Sequence, residues 1–248
     1  MSTVLAETKL LVVVGATGNQ GEPILRHFLE SNDRFAFKLR GLTRNVRSEP
    51  SQKLSKLGVD MFEADLNDER SLSRAFSGAT HIFANTDSNQ MIYQAIEHPN
   101  LLRPDQTPRS YAEEIELAQG RNLANAAACC MTLERLVWST LPSPKKWSKG
   151  KYTKVSMFDA KEAIADILKA TPEVLDKLSL LTVGFYASNA LKAPRLYAPQ
   201  KVMYAFSSTS AIPLTVRLQQ ADGTFELSMA MSADVAVPIA DLDNDMGP

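Results

Sequence analysis

The sequence predicts an α/β protein built on a doubly wound parallel sheet. Two observations support this prediction. Short apolar runs alternate with helix-favouring segments through the first half of the chain, which is the pattern of repeated βαβ units. A glycine-rich turn also separates the first apolar run from the first amphipathic segment. Because parallel neighbouring strands are joined by a crossover helix, this alternation predicts helices on both faces of the sheet.

The elements follow from their residue patterns in chain order. Residues 9–14 (KLLVVV) are apolar and β-branched, as in a buried parallel strand. The next segment places Ile24, Leu25, Phe28 and Leu29 on one helical face, with Pro23 in its first turn. The predicted long helix at residues 110–130 is rich in alanine, which favours helix formation. The predicted strands are residues 9–14, 36–42, 59–63, 80–84, 136–139 and 178–183, and the predicted helices are residues 20–30, 52–57, 68–76, 110–130 and 156–170.

The composition of the sequence changes after Pro142 and Pro144. A lysine-rich stretch precedes the last predicted helix and strand, and from Tyr186 onward prolines separate shorter segments. We therefore predict a nucleotide-binding domain over residues 1–144. Residues 145–248 would add a helix and a strand that complete the sheet, followed by a smaller, partial C-terminal substrate lobe.

Bulk composition excludes several classes of protein. The chain has 248 residues and a net charge of −1, so it can bury a large core and has no overall attraction to nucleic acid or to a membrane surface. No apolar run approaches the length of a membrane span. The two cysteines are adjacent, so we expect reduced thiols and a protein of the cytoplasm or the nucleus. The three histidines make no metal-ligand spacing with the cysteines, so we expect no metal.

The glycine-rich turn, GATGNQG, occupies residues 15–21. Gly15 permits the tight turn out of the strand, Gly18 leaves room for a pyrophosphate, and Gly21 allows close packing of helix and strand. The anion would lie at the helix N-terminus, where N–H groups and the helix dipole favour negative charge. Such a turn could also be a connector without a ligand. Its place between a strand and an amphipathic helix favours a Rossmann-type dinucleotide-binding unit.

The end of the second strand indicates which dinucleotide binds. A site for NAD places Asp or Glu there to hold the ribose 2′-hydroxyl. This strand instead ends in GLTRN, with Arg44 and no acidic residue before Glu49. A guanidinium matches the geometry of a 2′-phosphate, and one such contact is worth about 1.5–3 kcal/mol. Arg44 could also be a solvated surface arginine. We predict NADP(H) rather than NAD(H).

Five stretches together resemble the NmrA-like family: GATGNQG, LTRN, EADLND after the third strand, ATHIFANTD around the fourth, and FDAK in the helix from residue 156. These proteins are atypical relatives of the short-chain dehydrogenases/reductases, a group that includes isoflavone and pinoresinol-type reductases. The likeness covers nearly the whole chain, and the glycine motif with Gln20 is its most specific part.

The resemblance implies a role for each matched residue. Lys161 matches the lysine that in the reductase branch acts on the substrate or orients the nicotinamide ribose, and it is the predicted catalytic residue. A lysine near a bound cofactor can have its pKa lowered enough for acid–base work. It could also be an ordinary lysine on a helix surface. Together with Gly18 and Gly21, the implied cofactor-binding residues are Gly15, Thr17, Asn19 and Gln20 at the pyrophosphate, Arg44 at the 2′-phosphate, Asp65 and Leu66 near the adenine, Asn85 and Thr86 at the nicotinamide half, and Lys161.

Two features depart from the family's pattern. Met157 occupies the tyrosine position of a Tyr-x-x-x-Lys pair, and Tyr152 lies nine residues before Lys161, too far to share its helix face. Proton transfer by a phenol is therefore unsupported. The stretch at 236–248 resembles a family segment that enters a further helix. Because members usually continue there, we expect a C-terminally shortened form with an open substrate pocket.

Two functions are compatible with these residues. The first is an NADPH-dependent oxidoreductase of a small aromatic or polyketide-like metabolite, which Lys161 favours. The second is a non-catalytic regulator that senses NADP(H) and binds a protein partner such as a transcription factor, which Met157 and the short C-terminus favour. Neither function implies direct contact with nucleic acid, and the oligomeric state is not predicted.

Two further features have ordinary structural interpretations. The lysine-rich segment at 145–154, with Trp147 and Tyr152, is expected to be a solvated loop rather than a flap over the cofactor. Cys129 and Cys130 are expected to be small residues that face the core rather than a redox sensor.

Overall fold

The computed structural model describes residues 8–186 and 188–189, and the backbone of residues 216–217, 226–227 and 239–240. The expected lobe after Tyr186 and the stretch at 236–248 therefore lie largely outside the described residues. Among the helices that are described, none is both long and apolar enough to cross a membrane.

A six-stranded sheet in the order β3-β2-β1-β4-β5-β6 forms the centre of the fold, and every neighbouring pair of strands is parallel. The predicted doubly wound α/β class is confirmed, and strand ends differ from the prediction by a residue or so. The strands are β1 (Lys9–Val14), β2 (Phe37–Thr43), β3 (Asp60–Glu63), β4 (His81–Ala84), β5 (Arg135–Thr140) and β6 (Leu178–Thr182).

Helices connect the strands, as a parallel sheet requires. Three of them were not predicted, namely those at Ser88–Glu97, Pro144–Trp147 and Pro172–Leu175. Two short 3₁₀ turns also occur, at Asn32–Phe35 and Pro99–Leu101. The helices are α1 (Gly21–Glu30), α2 (Glu49–Lys56), α3 (Glu69–Ala75), α4 (Ser88–Glu97), α5 (Pro108–Ala128), α6 (Pro144–Trp147), α7 (Ser156–Lys169) and α8 (Pro172–Leu175).

The main core lies between one face of the sheet and helices α3, α5 and α7. Val12 and Val14 of β1 belong to this core, and Val13 points to the opposite face, on which α1 packs. All three valines are buried, so the sheet is covered on both sides. The apolar KLLVVV run is explained by this two-sided burial.

The chain divides into two compact units. The first ends at Val183 and contains the whole six-stranded sheet, which α7 and β6 complete. The second begins at Gly184. Within it, β7 (Phe185–Tyr186) pairs in parallel with β10 (Ile239–Ala240), and β8 (Val216–Arg217) pairs antiparallel with β9 (Glu226–Leu227).

Candidate functional site

The strand order reverses between β1 and β4, because β2 lies on one side of β1 and β4 on the other. Open parallel sheets bind ligands in the crevice outside the carboxyl ends of the strands at such a reversal. Five segments follow the carboxyl ends of β1 to β5 at this edge of the sheet. All the predicted cofactor-binding residues except Lys161 lie on the first four of them, and Lys161 reaches the crevice from α7.

The glycine turn after β1 is closely packed against itself. Gly15 has a φ of +70°, a backbone conformation that favours glycine, and the Gly18 N–H donates a 2.9 Å hydrogen bond to the Gly15 carbonyl. A Cβ at Gly21 would lie 2.3 Å from the Gly15 carbonyl oxygen, and one at Gly18 would lie 3.1 Å from it. Helix α1 can therefore start next to the strand only with glycine at position 21.

The other residues of the turn differ in exposure. Thr17 is half-buried, Asn19 is exposed and Gln20 is buried, while helix α1 begins without a side-chain capping hydrogen bond. This leaves the first turn of α1 suited to an anion. The structure also shows a requirement that the sequence patterns did not indicate. A Cβ at Gly41 of β2 would lie 2.8 Å from the Cβ of Ala16, so β2 needs glycine beside the turn.

Arg44 directly follows β2 and is exposed. Its Nη2 donates a 2.9 Å hydrogen bond to the side-chain oxygen of Gln90 in the first turn of α4. Since β1 lies between β2 and β4, this bond joins the two sides of the crevice. Arg44 is a surface arginine, yet its guanidinium is directed to the crevice. Gln90 was not predicted as a site residue, because α4 was not predicted.

The loop after β3 carries Asp65 and Leu66. The Asp65 carboxylate accepts hydrogen bonds from both the backbone and the side-chain nitrogen of Asn67, so it stabilises its own turn. The Leu66 carbonyl accepts a 2.8 Å hydrogen bond from the Asn122 side chain of α5. The loop is thereby held at the carboxyl edge of the sheet, where the resemblance implied the adenine.

Asn85 and Thr86 follow β4 and lie close to the glycine turn. A Cβ at Gly15 would be 2.8 Å from the Asn85 Oδ1 atom, so the Asn85 side chain lies directly against that glycine. Thr86 is buried and faces away from solvent. The structure thus brings together the predicted pyrophosphate residues and the predicted nicotinamide residues.

Lys161 reaches the same edge from helix α7. Its Nζ donates hydrogen bonds to the Thr86 backbone carbonyl at 2.5 Å and to the Thr86 hydroxyl at 2.8 Å. The Lys161 backbone carbonyl accepts from the Trp138 indole at 3.2 Å and from the Thr140 hydroxyl at 3.3 Å, so α7 is fastened to β5 at this residue. Lys161 is 9% exposed. The alternative of an ordinary helix-surface lysine is therefore wrong.

A buried glutamate lies beside Thr86 and Lys161. Glu116 of α5 is fully buried, and its Oε1 accepts a short hydrogen bond from the Thr86 hydroxyl. The same oxygen lies 3.6 Å from Lys161 Nζ. We call Thr86, Glu116 and Lys161 the buried cluster. Sequence reasoning missed Glu116, although a glutamate on the mostly apolar buried face of an alanine-rich helix was a usable signal.

Burial lowers the pKa of Lys161 below its ordinary value, and the negative charges of Glu116 and Asp87 partly oppose this shift. Burial also raises the pKa of Glu113, one turn before Glu116, and the neighbouring Asp159 adds to that effect. A primary amine with a lowered pKa is a better proton donor near neutral pH than an ordinary lysine. The cluster is therefore suited to proton transfer.

Neither Tyr152 nor Met157 supplies a phenol beside Lys161. Tyr152 is 56% exposed and precedes the start of α7. Met157 lies on α7 one turn before Lys161 and has no proton to transfer. The short-chain dehydrogenase arrangement of a phenol beside the lysine is thus absent from the described part of the chain.

Two structural expectations need correction. Residues 144–147 form helix α6 rather than open loop, because Pro144 can start a helix and Ser143 caps it by accepting from the Lys146 N–H. Cys130 is buried, but Cys129 is exposed, so the expectation that both cysteines face the core is wrong for Cys129. The helix ends at Ala128, and Cys129 is its C-cap residue.

A cavity of about 660 Å³ lies at the other end of the sheet, near the amino ends of β1 to β3. Its lining includes Leu10, Arg34, Lys38 and Asp60. Because ligands of open α/β sheets bind at the carboxyl ends of the strands, we do not assign the cofactor to this cavity. Within the described ranges, no three His, Cys, Asp or Glu side chains are grouped closely enough to hold a metal ion.

Comparison with known protein families gives a match over nearly the whole chain. The model of the NmrA-like family matches residues 7–248. An NmrA-like family domain-containing oxidoreductase of Aspergillus hancockii is 39% identical over 89 residues, which are 36% of this chain and 26% of that protein. Another, of Penicillium ochrochloron, is 26% identical over 183 residues, 74% of this chain and 49% of that protein. The matched regions span about half or less of these relatives' lengths.

Solved structures with the same architecture include NmrA, a negative transcriptional regulator, in complex with NADP. The similarity has a TM-score of 0.64 at 21% sequence identity and covers 97% of this chain and 60% of that one. At this level of identity the likeness establishes the fold.

Proposed function

This chain belongs to the NmrA-like family, and we propose that it binds NADP(H) and is an oxidoreductase that acts on a small organic molecule. The observation that carries the proposal is the position of Lys161. A buried amine is held at Thr86, in the segment that follows β4, across the strand reversal from the glycine turn.

The residues at the crevice fit a dinucleotide. The turn at 15–21 lacks side chains at Gly15 and Gly18, so a pyrophosphate could approach its backbone, and α1 presents its N-terminus there. Arg44 supplies a fork of donors at the rim for a 2′-phosphate. Asp65 and Leu66 would border the adenine, and Asn85 would face the nicotinamide half.

When bound, NADPH would supply a hydride. Lys161 would donate a proton to the oxygen of a carbonyl substrate, because burial makes its ammonium group more acidic and Met157 cannot serve. Orientation of the nicotinamide ribose is the alternative role that the resemblance implies for Lys161. Thr86 would hold the amine in place through its carbonyl and hydroxyl oxygens. Relatives named as oxidoreductases support this assignment.

Calorimetric titration of the protein with NADPH, NADP⁺, NADH and NAD⁺ tests cofactor binding. We expect a preference for the phosphorylated forms that Arg44→Ala reduces by about ten- to a hundredfold, which corresponds to one charge-assisted contact. Arg47→Ala is the matched control, since Arg47 is an exposed arginine in the same loop. Absence of binding in a folded sample, or equal effects of the two substitutions, would contradict the proposed site.

Turnover tests the catalytic part of the proposal. Oxidation of NADPH is followed by its absorbance in the presence of small quinones and aromatic ketones. Lys161→Arg keeps a positive charge beside Glu116, but a guanidinium does not give up its proton. We expect this variant to bind NADPH and to lose most of the turnover. Unchanged turnover would remove Lys161 from the mechanism.

A second candidate function is a non-catalytic regulator that senses NADP(H) and binds a protein partner. It is favoured by Met157 in place of a tyrosine and by the similarity to a transcriptional regulator. A sensor of redox state must bind the oxidised and reduced forms with different affinity, because equal affinities shift no equilibrium. At least a tenfold difference between NADP⁺ and NADPH without turnover would support the regulator. Equal affinities would exclude it as a redox sensor.

A further inference from the structure

Glu116 is a buried charged group whose position requires an explanation. It lies in the middle of α5 with no solvent exposure, and its Oε2 has no hydrogen-bond partner among the described residues. Burial of a carboxylate is costly unless an opposite charge or donors compensate it. Among the described residues, the compensation comes from the Thr86 hydroxyl and the Lys161 ammonium group.

The packing of α5 against α7 explains why these groups meet. A Cβ at Gly120 would lie 2.4 Å from Ile164 Cγ1, so the two helices touch at this glycine. Glu116 precedes Gly120 by one turn, and Lys161 precedes Ile164 by about one turn, which places both on the same interface. The close approach at Gly120 thus brings the carboxylate to the amine.

We propose that Glu116 is the positioning residue of this site: its buried carboxylate, together with the Thr86 hydroxyl, holds the Lys161 ammonium group at the carboxyl end of β4. The hydrogen bonds form a chain in which Lys161 donates to the Thr86 hydroxyl and that hydroxyl donates to Glu116. Glu116 itself has no solvent exposure. The role of Glu116 in catalysis rests on the proposed function, whereas the arrangement of the three side chains does not.

Among the described residues, the other charged groups near Lys161 lie farther from its Nζ than Glu116 does. Asp87, in the segment after β4, is the other acid whose charge acts on Lys161, and it caps α4 through the Asn89 N–H. Asp159 of α7 is engaged by the Ser143 hydroxyl and the Lys145 N–H. From β5 the neighbour is the Trp138 ring, whose centroid is 5.1 Å from Lys161 Nζ. Glu116 is therefore the acid that lies closest to the amine.

The pKa of Lys161 in the cofactor-free protein gives a direct test. The protein is labelled with ¹³C-lysine, and the Cε signal of Lys161 is identified by its loss in Lys161→Arg. We expect Glu116→Gln to lower the pKa of Lys161 by about 1–3 pH units, because the compensating charge is removed and the amine stays buried. Glu114→Gln, an exposed glutamate of the same helix that pairs with Arg103, should leave it unchanged.

A pair of substitutions tests the hydroxyl link. Thr86→Ser keeps the hydroxyl and should retain the pKa of Lys161, whereas Thr86→Val removes the hydroxyl and should change it. If Glu116→Gln fails to fold, Glu116→Asp keeps the charge at a greater distance and should give a smaller shift in the same direction. An unchanged pKa of Lys161 in the folded Glu116 variants would overturn the proposal.

These outcomes are separable from the proposed function. The titration needs neither cofactor nor substrate, so the pKa result stands even if the protein binds no NADPH. Where turnover is found, Glu116→Gln should lower kcat at least tenfold and move the alkaline limb of the kcat profile to lower pH. A variant with a shifted pKa of Lys161 but full kcat would show that Glu116 positions the amine without contributing to turnover.

Discussion

The glycine turn and the buried cluster lie at the same edge of the sheet, but they are built differently. The turn uses the backbone of seven consecutive residues, and its shape depends on the absence of side chains at Gly15, Gly18 and Gly21. The buried cluster uses side chains from three separate parts of the chain, after β4, on α5 and on α7. One depends on local geometry and the other on long-range packing.

This difference has consequences for substitutions. At Gly21 of the turn, an added methyl group would meet backbone atoms, which cannot move away without changing the strand or the helix. In the buried cluster, removal of one group leaves an opposite charge without compensation in the interior. The turn should therefore be sensitive to added volume, and the cluster to lost charge.

The largest effect on stability should follow from breaking the ion pair. We expect Lys161→Met and Glu116→Gln each to lower the free energy of unfolding by about 3–5 kcal/mol, because each leaves a buried charge unpaired. The double variant should lose far less than the sum of the two. Urea denaturation of the four proteins measures the coupling. Simple additivity would show that the two side chains do not interact.

A smaller loss is expected at the tightest point of the glycine turn. Gly21→Ala should lower the free energy of unfolding by about 3 kcal/mol, since its Cβ would lie 2.3 Å from the Gly15 carbonyl oxygen. Gly18→Ala is the comparison, because its Cβ would lie 3.1 Å from the same oxygen. It should lose little stability but weaken NADPH binding. Similar unfolding curves for the two variants would contradict this distinction.

A still smaller loss of stability is expected at the contact between α5 and α7. Gly120→Ala should lower the free energy of unfolding by about 1–2 kcal/mol, because the clash with Ile164 outweighs the gain of about 1 kcal/mol in helix propensity. Ile164→Ala creates space for the added methyl group, so Gly120→Ala should be harmless or stabilising in that background. Equal costs in both backgrounds would mean that the two helices do not limit each other here.

The smallest effect concerns pH. Burial lowers the pKa of Lys161 below 10.5 in the folded protein, so between the lowered pKa and 10.5 the unfolded chain binds the proton more often. The contribution of Lys161 to the free energy of unfolding should therefore increase as pH rises through that window, by at most about 1.4 kcal/mol per pH unit. The difference between wild type and Lys161→Met in urea, measured at several pH values, reports this slope. A flat or falling difference would contradict it.

Much of the architecture could be predicted from the sequence. The run at Lys9–Val14 and the turn after it have patterns that few other structures produce, because a strand buried on both faces is apolar throughout and the turn needs glycine. Helix α4 was missed, although Asp87 caps it and Ser88, Met91 and Ala95 recur at helical spacing on its buried face. Its polar residues obscured that pattern.

The candidate site could be predicted only in part. Lys161 was identified through the resemblance, but the sequence left its burial open, since a lysine in a helix is usually exposed. Glu116 and Gln90 were not identified at all. Glu116 belongs to the site because it contacts Lys161, and Gln90 because it contacts Arg44. In both pairs the two residues are far apart in the chain.

The parallel sheet, the glycine turn and the arginine after β2 can be predicted from local patterns, because those features depend on residues that are neighbours in the chain. The burial of Lys161, the position of Glu116 beside it and the contact between Arg44 and Gln90 become visible only in the folded domain. These contacts depend on how closely α5 packs against α7 and on where α4 begins. Such distances are set by the packing of the whole domain and not by any local pattern of residues.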